Sequence, residues 1–458
     1  MHPRLAADLD QLPQHLDATR RHATALLDSL AERPVVPEWQ APEPAALPEG
    51  AGGLAAALDA FAERWQPGLS ASAGPRYLGF VTGGATPAAL AGDWLTAALD
   101  QNPTSSLDPA GPQLERETVG WLRDLFGLPD AHEGAFVSGA TLSNTVGLAI
   151  AREWLGERRG VSVAEEGVMA LGPVRVVSGS PHSSITKSLA VLGLGRSSLV
   201  QVPTLPGREA VDPVALEAAL RGPCVIVANA GTVNTVDFDD LQALADLRDR
   251  YGCWLHVDAA FGAFAALSPA HAHLVAGLGR ADSVCVDLHK WLNVPYDSAV
   301  QFTRRRDLQA RVFQNAAAYL GPLGERPDLV HLTPENSRRL RALAAWFALR
   351  AYGREGHGEI VERCAESARA LGRAIEELPA LRLLAPVRLN VVCFTLAADP
   401  TPQRLAALAR ELSDEVFLTP TQYGGVPALR AAFSNWRTEE SDVARIAAAL
   451  ERATKDPS

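Results

Sequence analysis

The chain has 458 residues, of which 47% are hydrophobic and 21% charged, and it carries a formal net charge of −11. That composition fits a soluble globular protein with a large core, and the acidic balance excludes a whole-domain nucleic-acid footprint. No apolar run reaches the ~18 residues that span a bilayer, and the opening MHPRLAADLDQLPQHLD holds no apolar signal core.

Leu5, Leu9, Leu12, Leu16, Leu26, Leu27 and Leu30 share roughly one helical face, which predicts a helix over residues 1–35. Residues 36–53 are rich in Pro, Ala and Gly and read as a connector, with a second helix over Leu54 to Trp65. From about residue 113 short apolar runs alternate with helical segments. GAFVSG precedes TLSNTVGLAIAREWL, VRVVSG precedes SSITKSLAVLG, SLVQV follows, and CVIVANAG precedes DLQALADLRDRYG. CWLHVD, DSVCVDLHKW and AVQFT complete the series. Strands alternating with helices predict an α/β fold with a mostly parallel, buried central sheet that binds ligands at the carboxyl ends of its strands. Helical segments and the short strands LRLLA, LNVVCFTL, EVFLTPTQ and ALRAAFS then predict a smaller C-terminal α+β domain. The expected division is 1–85 for an N-terminal helical dimerisation segment, 86–353 for the large α/β domain and 354–458 for the small one.

Five cysteines stand singly in apolar stretches without CxxC pairs. They read as reduced core thiols of a cytoplasmic protein, with neither a disulfide framework nor a metal site. Lys187, Lys290 and Lys455 are the only lysines, so lysine-dependent chemistry has three candidates. Lys290 follows Asp287 and His289 directly behind an apolar strand, where a lysine of lowered pKa forms a Schiff base with an aldehyde. Asp258 ends the strand of WLHVDAA. Gly139, Ala140, Thr141 and Ser143 make a small-residue turn into a helix, a natural phosphate cradle. His182 stands just before another helix start, and NAGT ends a further strand. Singly, each has an ordinary structural explanation: a helix-capping Asp, a plain turn, a structural histidine. Together, in chain order, they supply a phosphate cradle, a flat ring, a carboxylate for a pyridine nitrogen and an amine for an aldehyde. Pyridoxal 5'-phosphate needs this set.

From about Pro75 to the C-terminal ALRAAFSNWRTEESDV, and most specifically in HVDAA and HKW, the chain resembles the group II pyridoxal-phosphate-dependent decarboxylases, the family of aromatic L-amino-acid decarboxylase. The resemblance implies fold-type I, the aspartate aminotransferase-like architecture, in a homodimer whose active sites lie at the subunit interface. It implies that Lys290 bonds the cofactor, that Asp258 pairs with the pyridine nitrogen, and that Ala260 and His182 pack on the two ring faces. It assigns Gly139, Ala140 and Thr141 to the phosphate loop, with Ala140 replacing a Gly, and places Asn144, Thr232 and His289 around the cofactor. Phe80 and Val81 fall at the substrate side-chain pocket, residues 100–108 where the chain approaches the partner's site, and Arg430 where it meets the substrate carboxylate.

The implied reaction is release of CO₂ from an L-amino acid to give the amine. One position departs from the pattern. The aromatic decarboxylases carry a proton-donating tyrosine on a loop; counted back from Arg338 and Arg339, its counterpart is Leu329. His331 and Tyr319 are the candidate replacements, and His331 joins Lys290, Asp258 and His182 in the expected catalytic set. The same departure keeps open an aldehyde-forming oxidative decarboxylation or another lyase reaction on this site. A non-catalytic dimeric scaffold is the remaining alternative, and retention of both Asp258 and Lys290 speaks against it.

Overall fold

The computed structural model describes residues 1–105, 107–315 and 326–455. Seven strands form the large sheet: β1 (Glu133–Val137), β2 (Val176–Ser178), β3 (Leu199–Gln201), β4 (Val225–Asn229), β5 (Trp254–Asp258), β6 (Ser283–Asp287) and β7 (Ala299–Thr303). Their order across the sheet is β1-β7-β6-β5-β4-β2-β3. Every residue of β4, β5 and β6 is buried. These strands read as continuous apolar runs because helices cover both faces of the sheet. The expected mostly parallel α/β architecture is present, with one exception: β7 runs antiparallel to both β6 and β1. Only residues 288–298 separate β6 from β7. A parallel return needs a crossover of about a dozen residues or more, so the chain reverses instead.

Register places the site. Asn229 on β4 pairs with Asp258 on β5, and Asp258 pairs with Cys285 on β6. The carboxyl ends of these three strands therefore form one rim, and the turn Leu288–Trp291 sits directly on it. The helix Ala140–Arg159 follows β1 and packs on β5, β6 and β7. The helix Ser183–Val191 is capped by His182, whose ring accepts from the Ser184 N–H.

The second sheet is antiparallel, ordered β10-β11-β9-β8, from β8 (Leu381–Leu383), β9 (Val391–Leu396), β10 (Thr419–Tyr423) and β11 (Val426–Ala432). It connects to the large sheet through the helix Ala342–Glu376, which is interrupted at Gly353 with φ 57 and ψ −168. A segment from Tyr77 to Thr86 lies between the sheets. Leu78 N–H donates to the Phe417 carbonyl, and Gly83 N–H to that of His289. A Cβ on Gly83 would lie 1.8 Å from the Lys290 carbonyl oxygen, so only glycine admits this approach.

The predicted N-terminal helix is two helices, Pro3–Asp10 and Leu12–Asp28, broken at Gln11. Pro13 explains the break: without an N–H and with a fixed φ it fits a helix's first turn, not its middle. These two helices and Gly53–Arg64 contain no buried residue. Among the described residues no helix is long and apolar enough to cross a membrane.

Candidate active site

Strand ends and helix starts converge on a cavity of about 390 Å³. Lys290, Asp258, His182, Ala260, Thr232 and Arg430 line it, with Phe80, Val81 and Ala140 closing its edges. Nine of the residues singled out from the sequence thus share one space.

Asp258 is held from both oxygens. Its Oδ2 accepts from Asn144 Nδ2 at 2.8 Å and its Oδ1 from the Ala260 N–H at 3.2 Å. Lys290 Nζ lies 2.9 Å from Asp287 Oδ2 and 5.6 Å from the Phe261 ring centroid. Burial alone would depress the Lys290 pKa, but the Asp287 and Asp258 carboxylates outweigh it and raise the pKa. The Lys290 pKa is thus raised rather than lowered. Asp287 is the physical reason, because its Oδ2 meets Lys290 while its Oδ1 accepts from the Ala140 N–H at 2.7 Å. It thereby joins the lysine turn to the start of the helix Ala140–Arg159. No role was expected for Asp287; the signal was its spacing, three residues before Lys290 on one helical turn.

The His182 ring opens to the cavity, yet the protein around it strips away enough water to lower its pKa, an effect the Asp258 carboxylate opposes. His289 is buried behind the lysine turn. Burial lowers its pKa, its Nδ1 accepts from the Ser298 N–H at 3.2 Å, and its ring stacks on Tyr296 at 4.2 Å between centroids. Gly139 stands beside it, the Cβ position 3.6 Å from His289 Cε1, and Thr141 is exposed in the first turn of the following helix.

Glu209 also lines the cavity, although nothing in the sequence singled it out. Its carboxylate accepts from Thr232 Oγ1 at 2.6 Å, Thr235 Oγ1 at 2.7 Å, Asn234 Nδ2 at 3.0 Å and the Thr235 N–H at 3.1 Å. These bonds tie Glu209 to residues 232–235 and hold Thr232 in place. Arg430 is buried, donates through Nη1 to the Val233 carbonyl, and keeps an Nε with no partner among the described residues.

His331 is not brought to this cavity. It is buried, and its Nδ1 accepts from the Asn315 N–H at 3.0 Å. Leu329, in the same short turn, packs against Ala135, Ala310 and Leu332. It faces a second cavity that contains Glu133, at the far end of β1 from Gly139. That end lies roughly 13 Å of strand away, at ~3.3 Å per residue. Tyr319 lies outside the described residues.

Comparison with known proteins bears on the family. Residues 37–397 match the pyridoxal-dependent decarboxylase conserved domain. The chain is 27% identical over 391 residues to an aromatic-L-amino-acid decarboxylase of Bacillus atrophaeus, covering 81% of this chain and 79% of that protein. It is 31% identical over 334 residues to a mouse cysteine sulfinic acid decarboxylase, covering 70% and 66%. Among solved structures, Oryza sativa TDC with PLP and tryptamine superposes with a TM-score of 0.90 at 23% identity, over 97% of this chain and 98% of that one.

The chain belongs to the pyridoxal-dependent decarboxylase family and has its fold-type I architecture. It is a pyridoxal-phosphate-dependent carboxy-lyase acting on amino acids. Its own residues fit that cofactor. One cavity presents an amine for the aldehyde, a carboxylate for the pyridine nitrogen, an imidazole face, and a helix start whose N–H groups suit a phosphate.

Proposed function

We propose that the protein releases CO₂ from an L-amino acid to give the amine, with Lys290, Asp258 and His182 as its catalytic residues. The observation that carries this assignment is the placement of Lys290 and a doubly hydrogen-bonded Asp258 on the walls of one cavity. Lys290 Nζ would hold the cofactor through its aldehyde, and Asp258 would hold a proton at the pyridine nitrogen; the bound ring would supply an electron sink for decarboxylation. His182 and Ala260 would flank the ring. Gly139, Ala140 and Thr141 would hold the phosphate, with Asn144, Thr232 and His289 around the cofactor. Phe80 and Val81 face the substrate side chain.

Arg430 orients the substrate carboxylate, a role supported by its burial on the cavity wall and by the unpartnered Nε. Phe80, Val81 and Phe261 give the same cavity an apolar wall, which favours the loss of charge as CO₂ leaves. The proton returned to Cα comes from a group other than Leu329. His331 serves in that role only if it leaves its bond to Asn315.

Lys290→Ala should abolish both the visible absorption of the purified protein and CO₂ release, while Lys187→Ala, on an exposed helix position, retains both. The reverse pattern refutes the assignment. A screen of the twenty amino acids and cysteine sulfinate for CO₂ release identifies the substrate.

Leu329 favours a second reading, because a leucine cannot protonate the substrate carbanion. On that reading dioxygen takes two electrons, water supplies the aldehyde oxygen, and the products are aldehyde, ammonia, hydrogen peroxide and CO₂. Assaying peroxide against amine separates the two.

The working form is a homodimer with sites at the subunit interface. Support comes from Leu5, Leu9, Leu16, Trp65, Trp94 and Leu99, which are exposed on helices near the N-terminus or on the turn that follows one of them. A monomer with full activity would contradict it. The five free, buried thiols support a cytoplasmic setting. The break at Gly353 supports dividing the chain into 1–85, 86–353 and 354–458.

A further inference from the structure

Behind Asp258 a line of buried polar side chains runs through the large sheet, and donor chemistry fixes the direction of each bond. The Trp254 indole N–H donates and never accepts, so Ser283 Oγ, 3.0 Å away, is its acceptor. The single Ser283 hydroxyl hydrogen is then free for His256 Nδ1 at 2.8 Å. A neutral imidazole accepting at Nδ1 carries its hydrogen on Nε2, which lies 2.9 Å from Asn144 Oδ1. With its oxygen so engaged, the Asn144 amide turns both hydrogens the other way, to Asp258 Oδ2 at 2.8 Å and Ser184 Oγ at 3.0 Å. Ser184 passes its own hydroxyl hydrogen to His182 Nδ1 at 2.9 Å.

Trp254, Ser283, His256, Asn144 and Ser184 are all buried. The chain begins at a group that can only donate and ends at a carboxylate that, when ionised, can only accept. No bond in it can be reversed without leaving a buried polar atom unpaired.

We propose that Trp254, Ser283, His256 and Asn144 are positioning residues, a one-way hydrogen-bond chain that keeps Asp258 oriented as the pyridine-nitrogen partner and sets His182 in its Nε2–H form. The proposal rests on the assignment of Asp258 above. Two features of the fold serve it. Gly147 leaves room for the His256 ring, since a Cβ there would lie 2.7 Å from Cε1. Burial holds the His256 pKa down at about 4, against the pull of the Asp258 carboxylate, so the ring stays neutral.

Protein labelled with [15N]histidine and loaded with pyridoxal phosphate tests the direction of the chain without a mutation. The His256 signals should show Nε2 protonated and Nδ1 bare, unchanged from pH 6 to pH 8.5; a protonated Nδ1, or titration within that range, overturns the proposal. A variant pair tests its consequence for cofactor affinity. His256→Leu removes the donor to Asn144 and should weaken pyridoxal phosphate binding about tenfold, whereas His256→Gln, whose amide nitrogen stands near the Nε2 position, should stay within about threefold of wild type. Equal affinities for the two variants overturn the proposal. Asp258→Asn separates the two levels of inference. If it binds cofactor as well as wild type, the assignment of Asp258 fails; if it binds poorly while His256→Leu binds normally, the chain alone fails.

Discussion

Gly147 sits inside the helix Ala140–Arg159, where alanine is ordinarily the better residue by ~0.5–1 kcal/mol. A Cβ at this position would stand 2.7 Å from His256 Cε1, 2.8 Å from His256 Nδ1 and 3.4 Å from Ser283 Oγ. The ring has no free direction of retreat, because Ser283 and Asn144 hold its two nitrogens. Overpacking of this kind costs ~1–3 kcal/mol, and a displaced ring that loses one bond adds ~1–3 kcal/mol. Gly147→Ala should therefore destabilise the protein by about 2 kcal/mol despite its helical gain. Gly120 supplies the control: it also lies within a helix, Gly111–Leu125, and a Cβ there meets nothing within 4 Å. Gly120→Ala should stabilise by up to ~1 kcal/mol. Urea unfolding of both variants beside wild type measures the gap, about 3 kcal/mol in all. If Gly147→Ala proves as stable as Gly120→Ala, the ring is not lodged against Gly147 and the stated geometry is wrong.

Burial holds His132, His256 and His357 at pKa values of about 4, so all three are neutral when folded. In the unfolded chain each takes up a proton near its ordinary pKa of about 6.5. Between pH 6.5 and 4 the unfolded chain therefore binds more protons than the folded one, so stability rises with pH and is lost on acidification, by ~1.4 kcal/mol per unit for each histidine. Urea midpoints taken from about pH 7 to 4.5 should fall steeply, and a flat profile would contradict the burial of these rings. Arg338 and Glu115 form a bidentate pair at 2.7 and 2.8 Å with both side chains buried. Arg338→Met strands the Glu115 charge and should cost ~3–5 kcal/mol in the same assay. The five cysteines are all buried, so a thiol reagent should leave the folded protein unlabelled and titrate five thiols after denaturation. Arg430→Met should raise the amino-acid KM about tenfold or more while visible cofactor absorption persists; an unchanged KM would remove Arg430 from the substrate site.

Lys290 and Asp258 are legible in the sequence because each follows or ends a contiguous apolar run, and a polar group at a buried strand's end is conspicuous without coordinates. His256 is equally polar but carries no such mark. It lies inside an apolar run, and its partners Asn144 and Ser283 are 112 and 27 residues away, so even its place in HVDAA gives no sign of what it bonds. Glu209 is hidden for the same reason: it belongs to a loop, and only the tertiary fold carries it to Thr232. The direction of β7 is settled by the length of its connection rather than by its composition. His331 shows the converse: nearness along the chain to Leu329 makes it a candidate, while packing of that turn against Ala135 and Ala310 sets it beside the Glu133 end of β1, away from this chain's own cavity.

Asn293 joins pieces of chain that are far apart in sequence. It adopts a left-handed conformation with φ 56, and its Nδ2 donates to the Gly83 carbonyl at 2.6 Å and to the Ser434 carbonyl at 2.7 Å. Those partners lie 210 residues before it and 141 after it. The turn that bears Lys290 is therefore fastened only when both distant segments are in place. One of them lies well downstream of the lysine, so the central strands can be laid down before the turn on their rim is finished, and competence to take up cofactor trails the sheet that carries it.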